Sequence, residues 1–100
     1  MDSILIVDDQ PHVRKLVSKS LSAEGYQIEA TGNPALIWEH IRERQSDLVL
    51  LNSLSDRLDS FELLIDIKRG YPKFPVLVYV IKSIDAVERL KEAITGILDE

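Results

Sequence analysis

The sequence predicts an α/β domain built on a parallel sheet with helices on both sides. Two observations carry that prediction. Three short segments are continuously apolar and rich in branched residues: ILIV at residues 4–7, LVLL at 48–51 and VLVYVI at 76–81. Such runs at strand length are typical of parallel strands buried on both faces. Between and after them lie stretches of helical periodicity, so strands and helices alternate. Alternation of this kind implies right-handed crossovers between parallel neighbours.

Each element has its own signal. Helix one is expected over PHVRKLVSKSLSAEG, with Val13, Leu16, Val17, Ser20 and Leu21 on one face. Asp9 is its expected N-cap, Pro11 suits its first turn and Gly25 its stop. YQIEA at 26–30 alternates apolar and polar residues, as an edge strand does. Helix two is expected from NPALIWEHIRER, capped by Asn33, with Leu36, Ile37 and Ile41 inward. FELLIDIKRG reads as helix three, ending at Gly70. In the last helix Asp85 and Glu88 have capping-box spacing, and Val87, Leu90, Ala93, Ile94, Ile97 and Leu98 recur at helical period. No repeat, linker or low-complexity segment interrupts residues 1–100, which are read as one domain.

Composition narrows the function classes. With 45% hydrophobic and 29% charged residues the chain is an ordinary globular one. A net charge of -5 argues against nucleic acid and against anionic membranes as partners. The absence of cysteine excludes disulfides and thiolate metal sites. No signal peptide and no membrane span is expected, so a cytoplasmic location is anticipated.

In an open parallel sheet, ligands bind beyond the carboxyl ends of the strands. Asp8 and Asp9 arrive there from the first strand, Asn52 from the third and Lys82 from the last. Two acids, an amide and a lysine would suit a hard divalent cation or an oxyanion. From spacing alone the plainer reading is preferred, in which Asp8 and Asp9 only cap the first helix and favour its positive end.

ILIVDDQPHVRKLVSKSLSAEGYQIEATGNPALIWEHI, DLVLLNSLSDRLDSFELL and YPKFPVLVYV together resemble the receiver domain of bacterial response regulators, almost without gaps from Ser3 to Val80. The resemblance implies a flavodoxin-like, three-layer sandwich whose family strand order is 2-1-3-4-5. It implies that paired acids bind Mg²⁺ and that an aspartate ending the third strand accepts a phosphoryl group from a histidine kinase. A threonine or serine is implied at the end of the fourth strand, and a lysine followed by proline at the end of the fifth. On this chain Asp8 and Asp9 match the metal-binding acids. Asn52 stands at the phosphoacceptor position, Asp56 replaces the loop proline, Ser60 the loop glycine and Val80 the switching hydroxyl.

Each departure has a chemical meaning. An acyl phosphate needs a carboxylate nucleophile, and an amide nitrogen has its lone pair delocalised into the carbonyl. Asn52 brings no charge, so Mg²⁺ would lose one anionic group. Val80 has no hydroxyl to turn toward a phosphoryl oxygen. Ser60 would change the loop path if that position required a positive φ.

The C-terminal half is short by ~20 residues, about one helix and one strand. Either the chain ends after the fourth helix, or an internal piece is lost. In the second case VIKSIDAVERLKEAITGIL matches the closing segment, with Lys82 for the lysine and Ser83 for the proline. The second alignment is preferred because the last helix is long and amphipathic. The expected order is then 2-1-3-4, with the fifth strand missing or fused with the fourth. VLVYVI becomes an apolar edge, a template for a second copy or a partner.

The function so predicted is that of a pseudo-receiver: a non-enzymatic interaction module of phosphorelay type, needing no cofactor and binding Mg²⁺ weakly at most. A histidine kinase, another regulator or a second copy would be its partner, the last through the fourth-strand edge or segment exchange. Lys82, near Asp8 or Asp9, would replace the cation. One alternative is a working Mg²⁺-dependent phosphoacceptor, with Asn52 a variant residue or Asp56 as acceptor. The other is a scaffold that uses only the fold. His12, His40, Trp38, Ser53 and Ser55 carry no specific signal.

Overall fold

The computed structural model describes residues 2–53 and 59–99. Strands and helices alternate as β1 (Ser3–Val7), α1 (Pro11–Ser22), β2 (Gln27–Thr31), α2 (Leu36–Arg42), β3 (Leu48–Asn52), α3 (Ser60–Gly70), β4 (Val76–Tyr79) and α4 (Ile84–Leu98). The four strands form one parallel sheet in the order β2-β1-β3-β4, the predicted flavodoxin-like arrangement.

Successive side chains of a strand point to opposite faces, and this divides the core in two. On one face Ile4, Ile6, Leu48, Leu50 and Tyr79 pack with Val17 and Leu21 of α1 and Leu90 and Ile94 of α4. On the other, Leu5, Val7, Val49 and Leu51 pack with Ile37 and Ile41 of α2 and Ile67 of α3. Burying each such leucine or isoleucine stabilises the fold by about 2 kcal/mol. β1 and β3 are central, and their continuous apolar runs follow from burial on both sides. β2 is largely exposed, as its alternation predicts.

The position of α4 bears on the shortened half. Right-handed crossovers place α1 on one face, because β1 to β2 runs one way, and α2 and α3 on the other, because the chain then runs back. A helix leading from β4 to a further strand would join α2 and α3. Instead α4 lies with α1. That is the place of a closing helix, and it supports the alignment in which Lys82 and Ser83 open the closing segment.

Several helix ends differ from expectation. Gln10, not Asp9, occupies the N-cap of α1 and makes no side-chain cap bond, while Pro11 holds the first turn as predicted. Asn33 precedes α2 by a full turn, and its Oδ1 accepts from the Ala35 N–H at 3.0 Å. Ser83 caps α4 without a side-chain bond, so Asp85 lies inside the first turn and the capping box does not form. β4 stops at Tyr79, short of residue 81. Leu16, expected inward, is exposed. Gly25 adopts φ +97 just past α1, where other residues would be strained.

The true side-chain cap is at α3. Asp59 Oδ1 accepts from the Glu62 N–H at 3.0 Å. Asp59→Ala is expected to cost about 1 kcal/mol, read as a lower urea midpoint at an unchanged slope. An unaltered midpoint would mean that α3 does not depend on this cap.

Candidate functional site

The site lies at the carboxyl edge of the sheet, where β1 ends at Val7 and β3 at Asn52. Asp8 follows β1 and is wholly buried. A carboxylate out of water is stable only when its oxygens are paired. Asp8 Oδ1 accepts from the Gln10 N–H at 2.8 Å and from Asn52 Nδ2 at 2.9 Å. Its Oδ2 accepts from the Tyr79 hydroxyl at 2.7 Å. Its backbone carbonyl accepts from Arg14 Nη1 at 2.6 Å. Gly32 leaves room for that guanidinium, since a Cβ there would meet Nη1 at 3.1 Å.

Asn52 is likewise buried. Asp8 only accepts, so the amide must turn its nitrogen toward it. The nitrogen also reaches Gln10 Oε1 at 3.2 Å. The residue at the end of β3 is therefore a donor matched to Asp8, where a carboxylate would be a second acceptor. Ser60 is buried at the start of α3, and its hydroxyl donates to the Asn52 backbone carbonyl. Ser60 does not adopt a positive φ, so the conformational argument for a glycine does not apply to it. It ties α3 to the end of β3.

Tyr79 was not anticipated; the expected switch position was Val80. The register sets Tyr79 opposite Asn52, and its ring lies in the core with its hydroxyl on Asp8. Burial first, then the hydrogen bond to Asp8 and the charge of Asp8, push the phenol far above its ordinary value, and Arg14 opposes this. The hydroxyl therefore stays protonated and donates. A tyrosine within VLVYVI was the available signal, because a buried phenol needs a partner. Val80, half-buried just past β4, brings no polar group.

Tyr79→Phe should lower stability by about 2 kcal/mol, because Asp8 Oδ2 then loses its donor in a site closed to water. The pH dependence supplies a check. A group whose folded value is raised contributes stability below its unfolded value of about 10 and loses it above. Wild type should therefore weaken as pH rises past about 10, and Tyr79→Phe should lack that component. Parallel curves for the two proteins would remove Tyr79 from the network.

The other expected site residues do not converge. Lys82 is exposed and forms no ion pair with Asp8 or Asp9. The expected electrostatic replacement of a cation by Lys82 is thus corrected. Asp8 is balanced by neutral donors, and the guanidinium of Arg14 lies beside it. Asp9 is half-buried, with Oδ1 enclosed and without a hydrogen-bond partner. Asp56 lies outside the described residues.

Mg²⁺ demands near-octahedral oxygen coordination. Both oxygens of Asp8 already accept from the protein, and no hydrogen bond to either oxygen of Asp9 is formed among the described residues. No group of three or more acids or histidines is placed to hold a metal among the described residues.

Residues 4–99 match the family model of the response regulator receiver domain. The chain belongs to that family. It is 36% identical over 76 residues to the DNA-binding transcriptional regulator NtrC of a Bradyrhizobium strain, covering 76% of this chain but 16% of that protein. The receiver domain thus spans only a small part of this relative. Among solved structures it is similar to the response regulator TrrA of Thermotoga maritima in complex with Mg²⁺ and BeF, with a TM-score of 0.83 and 26% identity. That match covers 98% of this chain and 100% of the other. It is also similar to the receiver domain of NtrX from Brucella abortus, with a TM-score of 0.80, 26% identity and coverage of 96% and 98%. TrrA has also been solved in complex with the histidine kinase ThkA, a match at 23% identity that speaks for the fold alone. No helix of the described residues is long and apolar enough to cross a membrane.

Proposed function

We propose that this receiver domain is a pseudo-receiver, an interaction module of two-component signalling that is not phosphorylated at the usual position. The observation that carries the reading is the Asn52 amide donating to Asp8 Oδ1 at 2.9 Å. It supplies a hydrogen bond where phosphoryl transfer needs a nucleophilic oxygen. The Tyr79 hydroxyl on Asp8 Oδ2 supports the same reading. Mg²⁺ is not required, and any binding is weak.

The domain acts by contact with a protein, in the cytoplasm. The partner is a histidine kinase, another regulator or a second copy. The free outer edge of β4 is the proposed surface for self-association, directly or by segment exchange. DNA binding, named for the NtrC relative, is not assigned to this domain, whose charge of -5 opposes it.

Incubation with Mg²⁺ and a small phosphodonor tests the reading. The expected result is no phosphoryl mass gain on the intact chain. A stoichiometric gain mapped to Asp56 would favour the working switch instead.

A further inference from the structure

At the opposite end of the sheet, beside the amino ends of the strands, a second group of polar side chains is buried together. His40 of α2 and Ser46, which precedes β3, are both buried. His40 Nδ1 lies 2.6 Å from Ser46 Oγ, and Nε2 lies 3.2 Å from Glu29 Oε1 of β2. A carboxylate accepts only, so Glu29 favours the tautomer with the proton on Nε2. Nδ1 then presents its lone pair to the serine hydroxyl. Nucleophile, base and orienting acid stand in the order of a hydrolase triad, joined through α2, the segment before β3 and the edge strand.

Ser46 also lines a groove of about 790 Å³ shared with Arg42, Arg44, Lys73, Tyr71 and Phe74. Three cations face this groove in a chain of net charge -5. One carboxylate, Asp47, is already engaged by the Ser3 N–H at 2.8 Å. Arg44 is held at φ 55, a positive value seen in no other non-glycine among the described residues. This is the left-handed residue that closes α2, where the N–H groups of Arg44 and Gln45 donate to the carbonyls of Ile41 and His40.

We propose that Ser46 is a base-activated nucleophile that accepts acyl groups from activated esters with a flat apolar body and a negative charge. Ser46 Oγ attacks the acyl carbon while its proton passes to His40 Nδ1. The carbon–oxygen bond to the leaving alcohol breaks, and that oxygen takes the proton from the imidazolium. The products are acyl-Ser46 and the free alcohol, with no other reactant consumed. Glu29 is a positioning residue. The cations of the groove select the anionic ester.

Acetylsalicylate tests this on the full chain, with phenyl acetate as the neutral comparison and peptide mapping as readout. The expected result is one acetyl group on Ser46, added faster from the anionic ester. His40→Ala should slow it about 100-fold, the low end of a positioned general base, and added imidazole should restore part of the rate. Glu29→Gln should slow it less and change the imidazole ¹⁵N shifts that report the tautomer. Acetylation confined to lysines, or a Ser46 rate unmoved in folded His40→Ala, would overturn the proposal. Equal rates from the two esters would overturn the selectivity assigned to the cations.

Discussion

Asn52→Asp is expected to lower stability at neutral pH by about 3 kcal/mol and to make it respond to Mg²⁺. The amide nitrogen sits 2.9 Å from Asp8 Oδ1, and Asp8 is wholly buried. Exchanging that donor for an acceptor brings two carboxylates within hydrogen-bond distance. Like charges so placed cannot both ionise cheaply, and the pair titrates higher than an isolated aspartate. A rise of roughly two pK units corresponds to about 3 kcal/mol. Because the folded value lies above the unfolded one, the penalty is absent below pH ~4. It grows as pH rises through the folded value and then stays constant. A cation between the carboxylates relieves the repulsion, so Mg²⁺ should raise the variant's urea midpoint and leave wild type unmoved. If both proteins respond equally to Mg²⁺, the amide is not what closes the site to cations.

Leu50→Ala should cost about 3 kcal/mol, within the range for leucine truncation in a closed core. Leu50 is the middle residue of β3, paired with Ile6 on one side and Leu77 on the other. It is fully buried against the face that carries α1 and α4. A domain of this size holds roughly 5–15 kcal/mol in total, so the variant should unfold at a markedly lower urea concentration. Phe61→Ala is the control, because Phe61 is 63% exposed on α3 and should change stability by less than about 0.5 kcal/mol. Equal losses in the two variants would contradict the two-faced core.

The architecture was legible because its signals are local. The runs at 4–7 and 48–51 can be buried on both faces only as central strands, and the proline, glycine and periodicity signals around them divide the helices. The site was half legible. Asp8 and Asn52 were placed by strand ends, and they do meet. Their partners were not, since partnership depends on register across the sheet and not on neighbours in sequence. Tyr79 reaches Asp8 across 71 positions because β4 sets it beside Asn52. An alignment that looked for a hydroxyl at Val80 passed over the one immediately before it. Asp9 and Asp85 misled for a related reason. Each has the residue type of a cap, but the chain turns into its helix one residue after Asp9 and two before Asp85, at Gln10 and Ser83. His40 likewise showed no acid at ligand spacing along its own helix. Its acid and its serine come from β2 and from the segment before β3.

The three donors on Asp8 have a temporal consequence. A phosphorylated receiver carries a bond that hydrolyses, and each signal therefore has a lifetime set by that chemistry. Here the counterparts of the acid belong to the chain itself: a backbone N–H, an amide and a phenol. If the domain is a pseudo-receiver as proposed, no phosphoryl group is added at this site and none is lost by hydrolysis. On the proposed reading this receiver keeps no clock. Its signal lasts as long as the polypeptide does, and its strength follows how many copies the cell makes and degrades.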